Sequence, residues 1–159
     1  MDAIDEYVGP FVFDTDGRGV NELIMPAGVL RHPPTTETKI EKEDETGNVR
    51  CDENLYMNGA EIFTFSMETV PRVCNCLLEK AKMSMEDIDY FIFHQANKFM
   101  LEHLRRKMKI PESKFCINLE DYGNTISATI PMALEIAKKQ GQINIGDKIM
   151  LIGFGVGYP

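Results

Sequence analysis

Residues 91–99 read FIFHQANKF. Phe91, Ile92 and Phe93 form an apolar run that predicts the end of a buried strand. His94, Gln95, Ala96 and Asn97 follow, and a helical pattern begins at once. Leu101, Leu104 and Met108 make its buried stripe over a helix from about Asn97 to Met108. A buried strand that hands over directly to a helix is the building unit of α/β folds. The handover itself carries a histidine and two amides, which a core has no need of.

The same alternation extends in both directions. Upstream, residues 59–81 predict a long helix. Ile62/Phe63, Met67, Val70, Val73/Cys74, Leu77/Leu78 and Ala81 recur every three to four positions, and Pro71 is expected to bend it. Downstream, Pro111 stops the second helix, and Phe115 to Leu119 predict a short strand. A third helix is expected over residues 126–140 with Pro131 in its first turns. Lys148 to Gly153 predict a last apolar strand that runs into Gly153-Phe154-Gly155-Val156-Gly157. Strands alternating with helices predict an α/β layered fold with a largely buried, mixed sheet. Residues 11–26 suggest two short strands about the turn DTDGRG. Asp14, Asp16 and Gly17 resemble the start of a calcium loop, but the remaining ligand spacing is absent and a plain turn is expected. Residues 33–50 are polar, charged and Pro-led, which predicts a surface loop or hairpin tip.

Composition narrows the function. The chain has 159 residues, one domain's worth, and 43% of them are apolar. No apolar run nears the roughly 20 residues a membrane helix needs. The N-terminus, MDAIDEYVG, has no basic start and no apolar centre, so a cytoplasmic location is expected. Residues 1–58 hold 13 acids against 5 bases, which accounts for the whole net charge of −8. That balance argues against nucleic-acid binding. Lys98, Arg105, Arg106, Lys107 and Lys109 against Glu102 make a local basic stretch within the neutral remainder. Cys51, Cys74, Cys76 and Cys116 lack metal-ligand spacing and are expected to be reduced thiols, with no metal site.

Ligands in α/β folds sit beyond strand ends, where loops lead into helices. Three such loops stand out: His94–Asn97, Tyr122-Gly123-Asn124-Thr125, and Gly153–Gly157. A helix N-terminus keeps a nearby imidazole neutral, and a neutral ring can donate one hydrogen bond to a developing oxyanion. The Asn124 amide is a donor that never titrates, and backbone N–H groups about Gly155 can join it. On these residues alone, a histidine such as His94 is more often a structural one, and an asparagine such as Asn124 is more often a turn residue.

The motifs HQAN, YGNTISATIPMAL and GDKIMLIGFGVG, with DTDGRGVNELIMPAG and MNGAEIF upstream, are similar in order and spacing to one family. They resemble the C-terminal half of 3-oxoacyl-(acyl-carrier-protein) synthase III, the thiolase-fold condensing enzyme that starts type II fatty acid synthesis. The resemblance covers nearly all of residues 1–159 except the polar loop. It implies a Cys-His-Asn triad in which His94 and Asn124 are the histidine and asparagine. None of the four cysteines matches the nucleophile motif, which lies in the family's first half. Met1 falls at the family midpoint, so the chain is expected to be one half of a larger enzyme and inactive alone.

The implied reaction is a decarboxylative Claisen condensation of acyl-CoA with malonyl carrier protein, without a cofactor. His94 and Asn124 would hydrogen-bond the enolate oxygen. Gly59, Phe63, Ala96, Asn97, Met100, Phe154, Gly155 and Val156 match positions that line the pantetheine tunnel and pocket. The family's FGGG is FGVG here, and Phe99 stands where the family often has a docking Arg. Lys98, Arg105, Arg106 and Lys109 are the implied docking surface for acyl carrier protein. The resemblance also implies a homodimer at full length. Two alternatives stand beside this reading: a related synthase of a polyketide or signal-molecule pathway, and a non-catalytic module binding CoA or carrier protein.

Overall fold

The structure is a computed structural model that describes residues 7–155. The chain divides into two compact units. One takes in Met1–Asp14 and Phe65–Phe154; the other takes in Thr15–Thr64 and Gly155–Pro159.

The larger unit is organised on two parallel strands, β5 (Tyr90–Phe93) and β6 (Ile149–Ile152). All four β5 residues are buried, as a strand covered on both faces requires. Side chains alternate across the strand. Tyr90 and Ile92 pack with Cys116, Ala133, Ala137 and Ile143, which brings in helix α4 (Thr129–Lys139). Phe91 and Phe93 point the other way, where the Phe93 ring meets that of Phe115 at 5.0 Å. The small residues of α4, Ala133 and Ala137, let the helix lie close on the sheet.

Helix α1 (Gly59–Ala81) has the expected bounds and is continuous through Pro71. Its buried residues in this unit, Ser66, Val70, Cys74 and Leu78, follow the helical period. Cys74 is buried while Cys76, two positions on, is exposed. Helix α2 (Lys98–Lys107) starts one residue after Asn97, whose side-chain oxygen accepts the Met100 N–H at 2.8 Å as an N-cap. It buries Met100, Leu101 and Leu104. Met108 is its half-buried C-cap rather than a core position.

Two expected strands do not form. Phe115 makes one bridge to Phe91, the Cys116 N–H reaches the Phe91 carbonyl at 3.1 Å, and the ladder stops. The cause is local. The Asn118 N–H is taken by the Gln95 side chain, and a short helix α3 (Leu119–Tyr122) begins at once. Residues 11–14 likewise make no strand. They are tied to α1, with the Phe11 carbonyl accepting from Lys80 Nζ at 2.9 Å and Asp14 paired with Arg72.

The second unit holds two short antiparallel pairs. Strand β1 (Leu23–Ile24) pairs with β4 (Tyr56–Met57), and β2 (Lys42–Glu43) with β3 (Val49–Arg50). Within the polar stretch 33–50, residues 42–50 form a hairpin and residues 33–41 a loop. The hairpin turn is held by Asp44 Oδ1, which accepts from the backbone N–H groups of Thr46 and Asn48 at 2.9 and 3.0 Å. Those donors favour the carboxylate and, led by the Thr46 hydroxyl, bring its pKa down to about 2. Asp16 caps a single 3₁₀ turn, Gly17–Gly19, and accepts from the Arg18 N–H. DTDGRG is therefore an ordinary capped turn.

Candidate functional site

The site grows from the C-terminal ends of the two parallel strands. The ladder runs one step beyond β5, because the His94 N–H donates to the Ile152 carbonyl at 2.8 Å. That bond fixes the His94 backbone beside the end of β6. Its imidazole, half-buried, emerges where both strands stop. Two residues past β6 the Phe154 ring stands edge-on to it, at 5.5 Å between centroids and 85° between planes.

Residue 95 turns the other way. Gln95 is 1% exposed. Its amide donates to the Phe93 carbonyl at 2.7 Å and the Cys116 carbonyl at 3.3 Å, and accepts the Asn118 N–H at 3.1 Å. One buried amide thereby joins the end of β5 to the segment that leads towards Asn124.

Asn124 reaches the histidine through two intermediaries. Its Oδ1 accepts the Ile126 N–H at 2.9 Å. A backbone N–H can only donate, so the amide oxygen faces the backbone and the NH₂ group faces away from it. Ile126 adopts φ of +56°, a left-handed conformation that costs a β-branched residue on the order of 1–3 kcal/mol. Its carbonyl accepts the Thr129 hydroxyl at 2.9 Å, and Thr129 Oγ1 lies 2.7 Å from His94 Nδ1. His94, Thr129, Ile126 and Asn124 thus form one hydrogen-bonded chain across two loops. Burial lowers the His94 pKa below its ordinary 6.5, against the opposing pull of the Ile126 carbonyl. The ring is accordingly neutral at pH 7.

The remaining candidates fall in different places. Ala96 is half-buried beside His94. Asn97 is exposed and employed as the α2 cap, and Met100 is buried on the inner face of α2. Gly59, Phe63 and Gly155 belong to the second unit, where Gly155 has φ of +138° and an added Cβ at Gly59 meets nothing within 4 Å. Val156 lies outside the described residues. On α2, Lys98, Arg106 and Lys109 are exposed, and Lys98 stands 3.4 Å from Glu120. Arg105 is different: its side chain is 15% exposed, donates to Glu102 at 2.8 Å and reaches the Ile110 carbonyl at 3.3 Å. Among the described residues no three His, Cys, Asp or Glu side chains are grouped to hold a metal, and no helix is long and apolar enough to cross a membrane.

A family model for the C-terminal part of 3-oxoacyl-[acyl-carrier-protein (ACP)] synthase III matches residues 78–159. The chain belongs to this family. The matched span holds His94, Gln95, Asn124, Thr129 and Phe154. A beta-ketoacyl-[acyl-carrier-protein] synthase III of Syntrophomonas wolfei is 38% identical over 142 residues, 89% of this chain and 40% of that protein. A solved 3-oxoacyl-(acyl-carrier-protein) synthase III superposes with a TM-score of 0.90 at 54% identity, covering 94% of this chain and 44% of its own. A 3-oxoacyl-(acyl-carrier protein) synthase of Burkholderia xenovorans gives 0.76 at 35% identity, covering 91% and 40%. With these synthases the chain shares the thiolase-like α/β fold, and it spans about two fifths of their length.

Two residues that hold the candidate site together, Gln95 and Thr129, differ in how plainly the sequence marks them. Gln95 was legible as an amide set directly after an apolar strand, where only a buried polar role explains it. Thr129 gave no such signal, since a threonine in the first turn of a helix is commonplace.

Proposed function

We propose that this chain supplies the His/Asn half of a condensing site in a beta-ketoacyl-ACP synthase III. The full-length protein would join acyl-CoA to malonyl carrier protein with loss of CO₂, in fatty acid synthesis. The observation that carries the reading is the hydrogen-bonded chain that links His94, at the end of β5, to Asn124, in the loop after α3. Loss of CO₂ leaves a thioester enolate, and its oxygen gathers the negative charge. The outward NH₂ of Asn124 suits that oxygen, with His94 beside it. The Asn124 amide does not titrate, so it is a donor at any pH as charge develops.

The covalent step needs a thiolate. Burial pushes the Cys74 and Cys116 thiols up to about 12 and about 11, and none of the four cysteines, Cys51 and Cys76 included, lies in a sequence that resembles the family's nucleophile motif. The nucleophile is therefore expected from the part of the enzyme that these relatives have beyond the matched region. Acyl-CoA and the malonyl carrier protein are the substrates, and no resident cofactor is called for. A cytoplasmic homodimer fits this reading. Exposed Lys98, Arg106 and Lys109 offer the acidic carrier protein a docking face.

The test is a paired assay on the full-length protein. His94→Ala and Asn124→Ala should each lower malonyl decarboxylation and condensation by about 10²–10³-fold. Acyl transfer from acyl-CoA to the enzyme should persist. Unchanged condensation in either variant would overturn the assignment.

A further inference from the structure

Proton accounting around His94 carries one more step. The Ile126 carbonyl has no proton to give, so the 2.9 Å contact with Thr129 is donated by the hydroxyl. Thr129 has a single hydroxyl proton, and this contact uses it. Towards His94 Nδ1, 2.7 Å away, Thr129 Oγ1 can then only accept. The proton of that short contact must come from the imidazole. Thr129 is 2% exposed, so water does not compete readily for its hydroxyl. Ile126 is held left-handed at φ of +56°, with the Asn124 side chain bonded to its N–H, and this sets the direction of its carbonyl.

We propose that Thr129 is a positioning residue for His94: its hydroxyl, committed to the Ile126 carbonyl, holds the neutral imidazole as the Nδ1–H tautomer and leaves Nε2 as the nitrogen that meets substrate. In the resting ring Nε2 is then an acceptor. It donates to a thioester oxygen only after taking up a second proton from solvent. Asn124 is the standing donor of the pair, and His94 is a conditional one. This rests on reading His94 as a reacting group, but the tautomer itself is a property of the folded chain.

The experiment is ¹⁵N NMR of the histidine rings in the full chain at pH 8, with the His94 signals assigned by their loss in His94→Gln. Wild type should show a protonated Nδ1 and a bare Nε2. Thr129→Ser, which keeps the hydroxyl, should show the same. Thr129→Val, which keeps the shape and loses the hydroxyl, should shift the population towards Nε2–H. A wild-type ring protonated on Nε2, or the same tautomer in Thr129→Val, overturns the proposal. Should Thr129→Val not fold, the wild-type and Thr129→Ser spectra still decide it. In the full-length enzyme, Thr129→Val should lower kcat by about 10-fold or more with little change in the KM for carrier protein, and Thr129→Ser should restore it. A changed tautomer with unchanged kcat would leave the positioning intact and remove His94 from the chemistry instead.

Discussion

The side-chain oxygen of Gln95 accepts the backbone N–H of Asn118 at 3.1 Å, across 23 residues of chain. The same amide donates to Phe93 and Cys116. Replacement by Leu would leave a buried N–H and two carbonyls short of a partner. Each such loss costs about 1–3 kcal/mol. Gln95→Leu is expected to lower stability by about 3 kcal/mol in urea unfolding, and Gln95→Glu by a similar amount. A loss below about 1 kcal/mol would mean that the amide is not the joint described here.

The four cysteines should separate by reactivity. Cys76 is exposed and Cys51 half-buried, while burial raises Cys74 and Cys116 to about 12 and about 11. Thiolate is the reacting form. Iodoacetamide at pH 8 followed by peptide mapping should find Cys76 first, then Cys51. Cys74 and Cys116 should label only once denaturant is added. Early labelling of Cys74 would contradict its place on the buried face of α1.

Stability should depend on His94 in mildly acid solution. Its folded pKa lies below the ordinary 6.5. As pH falls below 6.5, the unfolded chain takes up this proton before the folded one does. The unfolded state then binds more protons, so folding weakens as pH falls and strengthens as it rises. His94→Gln removes that contribution. The stability gap between pH 7.5 and pH 5.5 should be smaller in His94→Gln than in wild type. Equal gaps would show that the ring is as easily protonated folded as unfolded.

The basic helix should divide into two kinds of position. Lys98 and Arg106 are exposed, and reversing both to Glu in the full-length protein should raise the KM for carrier protein and flatten its salt dependence. Arg105 is held by Glu102 and the Ile110 carbonyl. Arg105→Glu should therefore act on thermal stability rather than on docking. An unchanged KM in the Lys98/Arg106 double variant would make this face an ordinary solvated one.

The parts of the fold set by local periodicity were readable from the sequence. The apolar spacing over 59–81 gives α1 its full length, and the β-rich runs give β5 and β6. What could not be read depends on distant partners. Phe115–Leu119 has the composition of a strand, but the Gln95 side chain takes the Asn118 N–H and ends the ladder. Phe11 and Phe13 alternate like a strand too, yet their segment is bound to Lys80 and Arg72 instead. The site divides in the same way. His94 and Asn124 stand out as polar residues at predicted strand ends. Thr129 and the buried orientation of Arg105 become visible only with their partners in place.

The parallel pairing of β5 with β6 has a kinetic meaning as well. Every rung joins residues about 60 positions apart, Tyr90 with Ile149 being the first, and closing such a loop costs roughly 3–4 kcal/mol before any contact repays it. Helices α1, α2 and α4 can flicker into being from their own sequences, whereas this ladder must wait for the chain ends of that loop to meet. His94 and Phe154 lie just past the closing rungs, on opposite strands. The candidate site therefore comes into existence only with a long-range closure of the chain. A nascent or partly unfolded chain, helical as it is, carries no trace of it.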